Sequence, residues 1–315
     1  MIGHALRAAG WLAASLALAS VAVFACLQLL PGDPARVALG LNADPAALAE
    51  LRSRHGLDRP AAVRYLEWAG GLPRGDFGTS HVTGLEVGPQ IAERAGVTFW
   101  LVLGSLAVAV AVALPAGTAA AAARGRPLAG TVAVLSQLGV AVPAFLLGTL
   151  LTYALAVRAG WLPASGYTAL GEDPGEWARR MVMPWLSLGL VQGAVLTRFT
   201  RSAFLRVLGE DYVRTARAKG VGRAGVLLRH GLPNAGVALL TVIGLQIGTL
   251  LAGTVVVERV FVVPGLGDLL LRGVSDRDLV LVQGVVVVMV AVVLAVSTLS
   301  DLLYKVIDPR LRSAR

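Results

Sequence analysis

Charged side chains leave six long gaps along this chain: Ala8 to Gly32, Val97 to Ala123, Pro127 to Val157, Met181 to Thr197, Gly231 to Val257 and Leu279 to Ser300. A helix needs about 20 predominantly apolar residues to cross a hydrocarbon core, with about 17 to 25 the usual range. The gaps are of that order, and the pattern predicts an all-α integral membrane protein with six transmembrane helices. The first gap also fits a cleavable signal peptide, with Arg7 ahead of the apolar run and Ala17-Leu18-Ala19 as the cleavage region. Cleavage after Ala19 would strand Val21 to Leu30 as an apolar stub, so an uncut first span is the expectation.

Proline and glycine punctuate the runs. Pro115 and Pro143 fall within the second and third, where each removes a backbone hydrogen bond and predicts a kink. In a bilayer the freed carbonyl must be satisfied by protein or water, which suits a packed or cavity-lining face as well as a plain kink. Gly244, Gly248 and Ala252 recur at steps of four in the fifth run, a stripe that lets another helix approach closely. Cys26, the only cysteine, sits in the first run, where a packing role is expected.

The predicted organisation is a first transmembrane helix over residues 1–32, a polar extracytoplasmic segment over 33–96, and a core of five helices over 97–315 that contains an inner loop at 198–230. Asp44 and Pro45 read as N-cap and first residue of a short helix through Arg54. Val87 to Arg94 reads as a short approach helix, and Trp161 and Tyr167 suit an aromatic interface belt.

Composition agrees with the pattern. At 56% hydrophobic and 15% charged, with mean hydropathy +0.72, the chain is too apolar for a soluble globular domain. A net charge of +9 would suggest nucleic acid in a soluble protein, but here its distribution decides against that. With the N-terminus inside, the inner segments hold 15 Lys/Arg against four acids, and the outer ones 13 against 15. The positive-inside rule then places both termini in the cytoplasm.

No catalytic constellation emerges. His4, His55, His81 and His230 are scattered, and the two lysines, Lys219 and Lys305, lie in no phosphate-binding GxxxxGK[ST] context. The chain therefore cannot itself be an ATPase, and energy must come from a partner or an ion gradient. An ion-coupled carrier usually keeps an intramembrane carboxylate or histidine, and the six runs contain neither. They do contain Gln28, Gln137, Gln192, Gln246 and Gln283. The last four are candidates for a polar translocation path, with interhelical hydrogen bonding the alternative.

The segment from Asp211 to Pro233 is the most distinctive. Glu210 and Asp211 open a predicted helix at its positive end and stand four and three residues before Arg214. Asp211, Arg214 and Arg217 share one stripe, with Val213, Ala216 and Gly220 beside it. Gly220 and Gly222 end the helix and turn the chain back towards Pro233 at the mouth of the fifth run. A basic loop that only obeys topology or touches anionic lipid is the alternative.

The wording Tyr212-Val213-Arg214-Thr215-Ala216-Arg217-Ala218-Lys219-Gly220, with Pro233 thirteen residues later, resembles the ATPase-docking loop of ABC importer permeases of the dipeptide, oligopeptide and nickel branch. Arg214, Thr215 and Ala216 stand where the wider family has Glu-Ala-Ala. Further matches run in order: Leu30 to Ala35, Leu57 to Pro60, Gly75 to Gly78, Pro143 to Gly148, Gly160 to Tyr167, Glu258 to Phe261, Pro264 to Gly267 and Asp301 to Arg312. The resemblance implies a type I ABC importer permease fold in the bacterial cytoplasmic membrane. Its partners would be a second permease, two cytoplasmic ATPases that carry ATP and Mg, an extracytoplasmic substrate-binding protein and the lipid bilayer, with no nucleic acid. This chain would be a transport subunit without enzymatic activity or cofactor, working by alternating access.

The resemblance also marks Glu210, Asp211, Tyr212, Arg214, Thr215, Ala216, Arg217, Lys219, Gly220 and Pro233 as ATPase-coupling residues. Glu258, Arg259, Phe261, Pro264 and Asp268 become candidates for an outer gate or binding-protein contact, the turn Pro264 to Gly267 lying at the outer mouth. Di- or oligopeptide is the expected cargo, with nickel or another small solute the alternative; a membrane enzyme or scaffold is remote.

Overall fold

The computed structural model describes residues 2–29, 44–54 and 56–307. The motif from Leu30 to Ala35, His55 and the tail from Asp308 lie outside these residues. In chain order the helices are α1 (Ile2–Gln28), α2 (Pro45–Arg54), α3 (Ala61–Gly71), α4 (Val87–Ala122), α5 (Pro127–Ala141), α6 (Ala144–Leu151), α7 (Pro174–Leu208), α8 (Asp211–Ala218), α9 (Arg223–Val226), α10 (Leu232–Phe261), α11 (Leu266–Ser275) and α12 (Leu279–Ile307). The chain divides into two compact units, one of Met1–Thr98 with Pro264–Ala295 and one of Phe99–Val263 with Val296–Arg315.

Among the described residues four helical stretches are long and apolar enough to cross a membrane: Leu6–Gln28, Val87–Ala122, Leu232–Phe261 and Leu279–Ser300. A fifth is counted only if α5 and the stretch Ala144–Arg158 are one span, and these two are bent by 99°. The expected kink at Pro143 is thus a break. Val142 and Pro143 both have extended backbone, ψ 122 and 140, because a proline ring disfavours helical geometry in the residue before it.

The remaining run, Met181 to Thr197, lies within α7, which starts seven residues before it and ends eleven after it. Buried Ser187, Gln192, Thr197 and Thr200 dilute the apolar density of α7. The threonine hydroxyls donate to carbonyls one turn back, Thr197 to Gly193 at 2.7 Å and Thr200 to Leu196 at 2.8 Å. These buried polar groups lie on a helix on which α5, α6 and α10 all pack. Its start is well specified: the Asp173 carboxylate accepts the Gly175 and Glu176 N–H groups, and Pro174 follows at the first position.

Within the first unit, α2 begins as expected, with the Ala46 N–H donating to Asp44 at 3.3 Å. Tyr65 of α3 meets α1 through an edge-to-face contact with Phe24 and a 2.9 Å hydrogen bond with Ser20. Cys26 is exposed on α1, so the described residues do not give it the packing role expected. The separate approach helix does not exist: Val87 opens a 36-residue helix, about 54 Å long at 1.5 Å per residue. Polar Glu93 and Arg94 lie within that helix, not at its end, and Arg94 pairs with Asp268. Val87 and Ile91 of α4, Leu266 and Leu269 of α11, and Leu281 and Val285 of α12 form one core. Asp278 caps α12, accepting the Leu281 N–H at 3.3 Å and the hydroxyl of fully buried Ser80.

In the second unit, the core joins Ala113 and Ala121 of α4, Leu196, Ala203 and Phe204 of α7, and Ala235 and Leu239 of α10. Small residues set the approach distances. A Cβ at Gly189 would sit 2.6 Å from Val108 Cβ, and one at Gly244 would sit 2.7 Å from Ser300 Cβ. The stripe expected on the fifth run thus has its close neighbour at Gly244, while Gly189 and Gly193, four apart on α7, make a second close face against α4. Inside α4, the Thr118 hydroxyl donates to the Leu114 carbonyl at 2.6 Å, beside Pro115, and the helix continues through that proline.

Candidate functional site

The loop at 198–230 folds as its residues dictate. Glu210 is the N-cap of α8 with extended backbone, φ −72 and ψ 149, and Asp211 is the acid of its first turn. Val213 and Ala216 are buried, whereas Asp211, Tyr212, Arg214, Thr215, Arg217 and Lys219 are exposed. The helix therefore presents one charged face outward. Asp211 rather than Glu210 pairs with Arg214, at 3.5 Å, and both side chains are largely exposed, so the pair adds little stability.

Gly220 ends the helix at φ +85, a conformation costly for a residue with a Cβ. The Gly220 N–H donates to the Arg217 carbonyl at 2.9 Å and the Val221 N–H to the Ala216 carbonyl at 3.1 Å. These two bonds define a Schellman motif. The chain then differs from expectation: α9 starts at Arg223 and runs through a π-helical turn, Leu227–Gly231, into α10. Pro233 lies within this continuous helical stretch, not at a turn. A wider turn just ahead of a proline relieves the clash of its ring with the preceding carbonyls. Gly231 lets Phe204 approach, since a Cβ there would lie 2.9 Å from its ring.

A neighbour of this loop went unrecognised in the sequence. Arg217 and Arg124, from the inner turn between α4 and α5, line one cavity of about 240 Å³ with Leu205, Leu208 and Leu227. The only available signal was that both segments are basic.

The outer candidates divide between the two units. Glu258 is fully buried, Arg259 is exposed, and Phe261 is buried with its ring against Gly148, where a Cβ would be 2.9 Å away. The Phe261 carbonyl accepts the Gly166 N–H at 2.8 Å, so the segment Gly160 to Tyr167 is tied to the end of α10. Burial pushes the phenol of Tyr167 above its ordinary range, and Glu172 acts in the same direction.

Past Pro264 comes not a compact turn but the amphipathic helix α11. Gly265 is extended, φ −101 and ψ −170; the left-handed residue is Val262, at φ 56. Asp268, only 4% exposed, pairs with Arg272 at 2.8 Å and with Arg94 of α4 at 3.3 Å. The Leu266 N–H donates to Thr98 Oγ1 at 2.8 Å. Arg94 and Thr98 lie 174 and 168 positions away from their partners, a distance no local pattern bridges.

Gln192, Gln246 and Gln283 are buried, and the Gln246 Nε2 is shut off from solvent without a hydrogen-bond partner. Gln137 is exposed on α5. Among the described residues no cluster of His, Cys, Asp and Glu could hold a metal ion.

This helical architecture has a solved counterpart. An inward-facing structure of the MetNI methionine ABC transporter superposes with a TM-score of 0.58 at 17% identity, covering 70% of this chain and 96% of the other. The fold is that of a type I ABC importer permease. Residues 113–313 match the family described as "Binding-protein-dependent transport system inner membrane component", and residues 1–102 match its N-terminal companion. The chain belongs to that family and is a multi-pass membrane transport component. It is 40% identical over 312 residues to the glutathione transport system permease protein GsiC of Salmonella typhi, with 99% of each chain covered. It is 36% identical over 299 residues to a probable peptide ABC transporter permease protein of Sinorhizobium fredii, covering 95% of this chain and 96% of that one.

Proposed function

We propose that this chain is one permease half of an ATP-driven importer of di- or oligopeptides. It pairs with a second permease, two cytoplasmic ATPases supplying ATP and Mg, and an extracytoplasmic substrate-binding protein. The observation that carries the coupling role is α8, whose buried Val213 and Ala216 anchor it to its own unit while its charged face stays exposed. Such a short helix transmits motion, because anything that grips the exposed face moves the buried face with it. ATP-driven closure of the ATPases then draws the inner loops together and opens the pathway outward. The names of the near full-length relatives support peptide cargo over nickel.

The same reading puts both termini in the cytoplasm and residues 33–96 outside. Among the outer residues Arg259, exposed at the end of α10, is the best contact for the binding protein, whereas buried Asp268 and Glu258 hold structure. Gln246, with its unpartnered amide, is the favoured pathway group.

Two measurements test this. In a Cys26→Ala background, Thr83→Cys, exposed in the outer segment, should react with an impermeant thiol reagent in intact cells, and Ala218→Cys should not; the reverse pattern overturns the topology. Deletion of Arg214 to Lys219 should abolish co-purification with the ATPases and uptake of a labelled dipeptide while membrane insertion persists. Normal uptake by that variant would remove the docking role, and uptake of nickel but not dipeptide would change the cargo.

A further inference from the structure

We infer that the cavity between α5 and α7 is a binding site for the headgroup of an anionic phospholipid. Its volume is about 450 Å³, and its polar walls are Ser136 and Gln137 of α5 and Thr197, Arg198, Arg201 and Ser202 of α7, the Thr197 hydroxyl being already bonded to the Gly193 carbonyl. Two guanidinium groups share this cavity, and among the described residues no carboxylate lines it and neither arginine makes an ion pair. The Arg201 Nε–H is closed off from solvent without a hydrogen-bond partner, and Ser136 is buried at 5% exposure. An orphaned charged donor is costly, and paired guanidiniums suit a bidentate oxyanion best.

The surroundings select which oxyanion. Arg198 is the first charge after the run Met181 to Thr197, and on the sequence reading of that run as a span it stands at a membrane edge, where phosphodiester headgroups are concentrated. Phe199 on the rim is 49% exposed, and next to the cavity on α5 Val134, Leu135 and Leu138 are 60%, 61% and 58% exposed. A phospholipid satisfies both features at once: its phosphate reaches the arginines, Ser136 and Gln137 bond its ester or glycerol oxygens, and its acyl chains cover the apolar face. The carboxylate of a passing solute would satisfy only the first. Gln137 is thereby assigned to lipid and not to the translocation path.

The test uses the full-length chain, purified in detergent, stripped of lipid and titrated with phosphatidylglycerol or phosphatidylcholine, with bound lipid counted by native mass spectrometry. Wild type should bind phosphatidylglycerol about 30-fold more tightly than phosphatidylcholine, the factor two basic side chains supply beside an anionic headgroup. The Arg198→Gln/Arg201→Gln variant should lose that preference, while Arg206→Gln, on α7 but outside the cavity, should keep it. Should the glutamine pair fail to fold, Arg198→Lys/Arg201→Lys retains charge without the planar fork and should show an intermediate preference. Equal binding of both lipids by wild type, or an undiminished preference in either double variant, overturns the site. Displacement of phosphatidylglycerol by a dipeptide overturns the lipid assignment in favour of a solute carboxylate. The readout is lipid occupancy, so it stands or falls independently of transport.

Discussion

Helices α8 and α11 are alike in length and amphipathic pattern, yet they handle charge in opposite ways. In α8 the Asp211–Arg214 pair lies in solvent, with side chains 96% and 76% exposed, and only Val213 and Ala216 are buried. In α11 the Asp268 carboxylate is itself buried and gripped by Arg94 and Arg272. An exposed pair leaves its charges available to another molecule and contributes little to the fold. A buried carboxylate between two arginines is committed, since removing one member strands the others. The difference separates a helix suited to docking from one that closes a core, although both read as charged connections between long apolar runs.

The largest effect expected from this contrast is at Asp268. Asp268→Ala should destabilise the first unit by about 3–5 kcal/mol, because Arg94, with its side chain 21% exposed, loses its carboxylate. The loss should appear as a lowered unfolding midpoint in detergent or as degradation in cells. Arg272→Ala, with its side chain 53% exposed, should cost much less. If Asp268→Ala retained wild-type stability, α11 would be no more committed than α8.

Gly220 comes next. Gly220→Val places a β-branched residue at φ +85, at a cost of about 1–2 kcal/mol, and loosens the end of α8. Insertion should survive, but peptide uptake and coupled ATPase activity should fall together. Loss of insertion instead would show that the turn serves folding.

Arg214→Glu should leave the unfolding midpoint near wild type while weakening ATPase association, more so at low salt. A drop in stability matching that of Asp268→Ala would erase the distinction between the two helices. The smallest effect belongs to Val262, a β-branched residue held left-handed at 62% exposure. Val262→Gly should raise stability by about 0.5–1 kcal/mol as strain relief exceeds the added chain entropy. Impaired uptake with raised stability would mean that the strain serves the transport cycle.

What the sequence determined by itself lies close together along the chain. Charge-free runs imply membrane helices because a polar backbone in lipid must bond internally. Asp44 ahead of Pro45 starts α2, and Gly220 ends α8, because each rule needs only a few neighbouring residues. The charged and buried stripes of α8 followed from helical period alone. Tertiary structure decided the rest. Proline at position 115 leaves α4 unbroken and at 143 ends α5 with a 99° bend, a difference that chain-local chemistry does not contain. Met181 to Thr197 reads as one more span, but its buried serine, glutamine and threonines are explained only by the helices packed on α7. Asp268 was a candidate for an outer gate or binding-protein contact, and its burial beside Arg94, 174 positions away, and the core of α11 could not be read locally. Arg198 and Arg201 likewise read as topological charge until α5 supplied the facing wall of their cavity. Burial and pairing depend on which distant segments meet, and only the packed chain settles that.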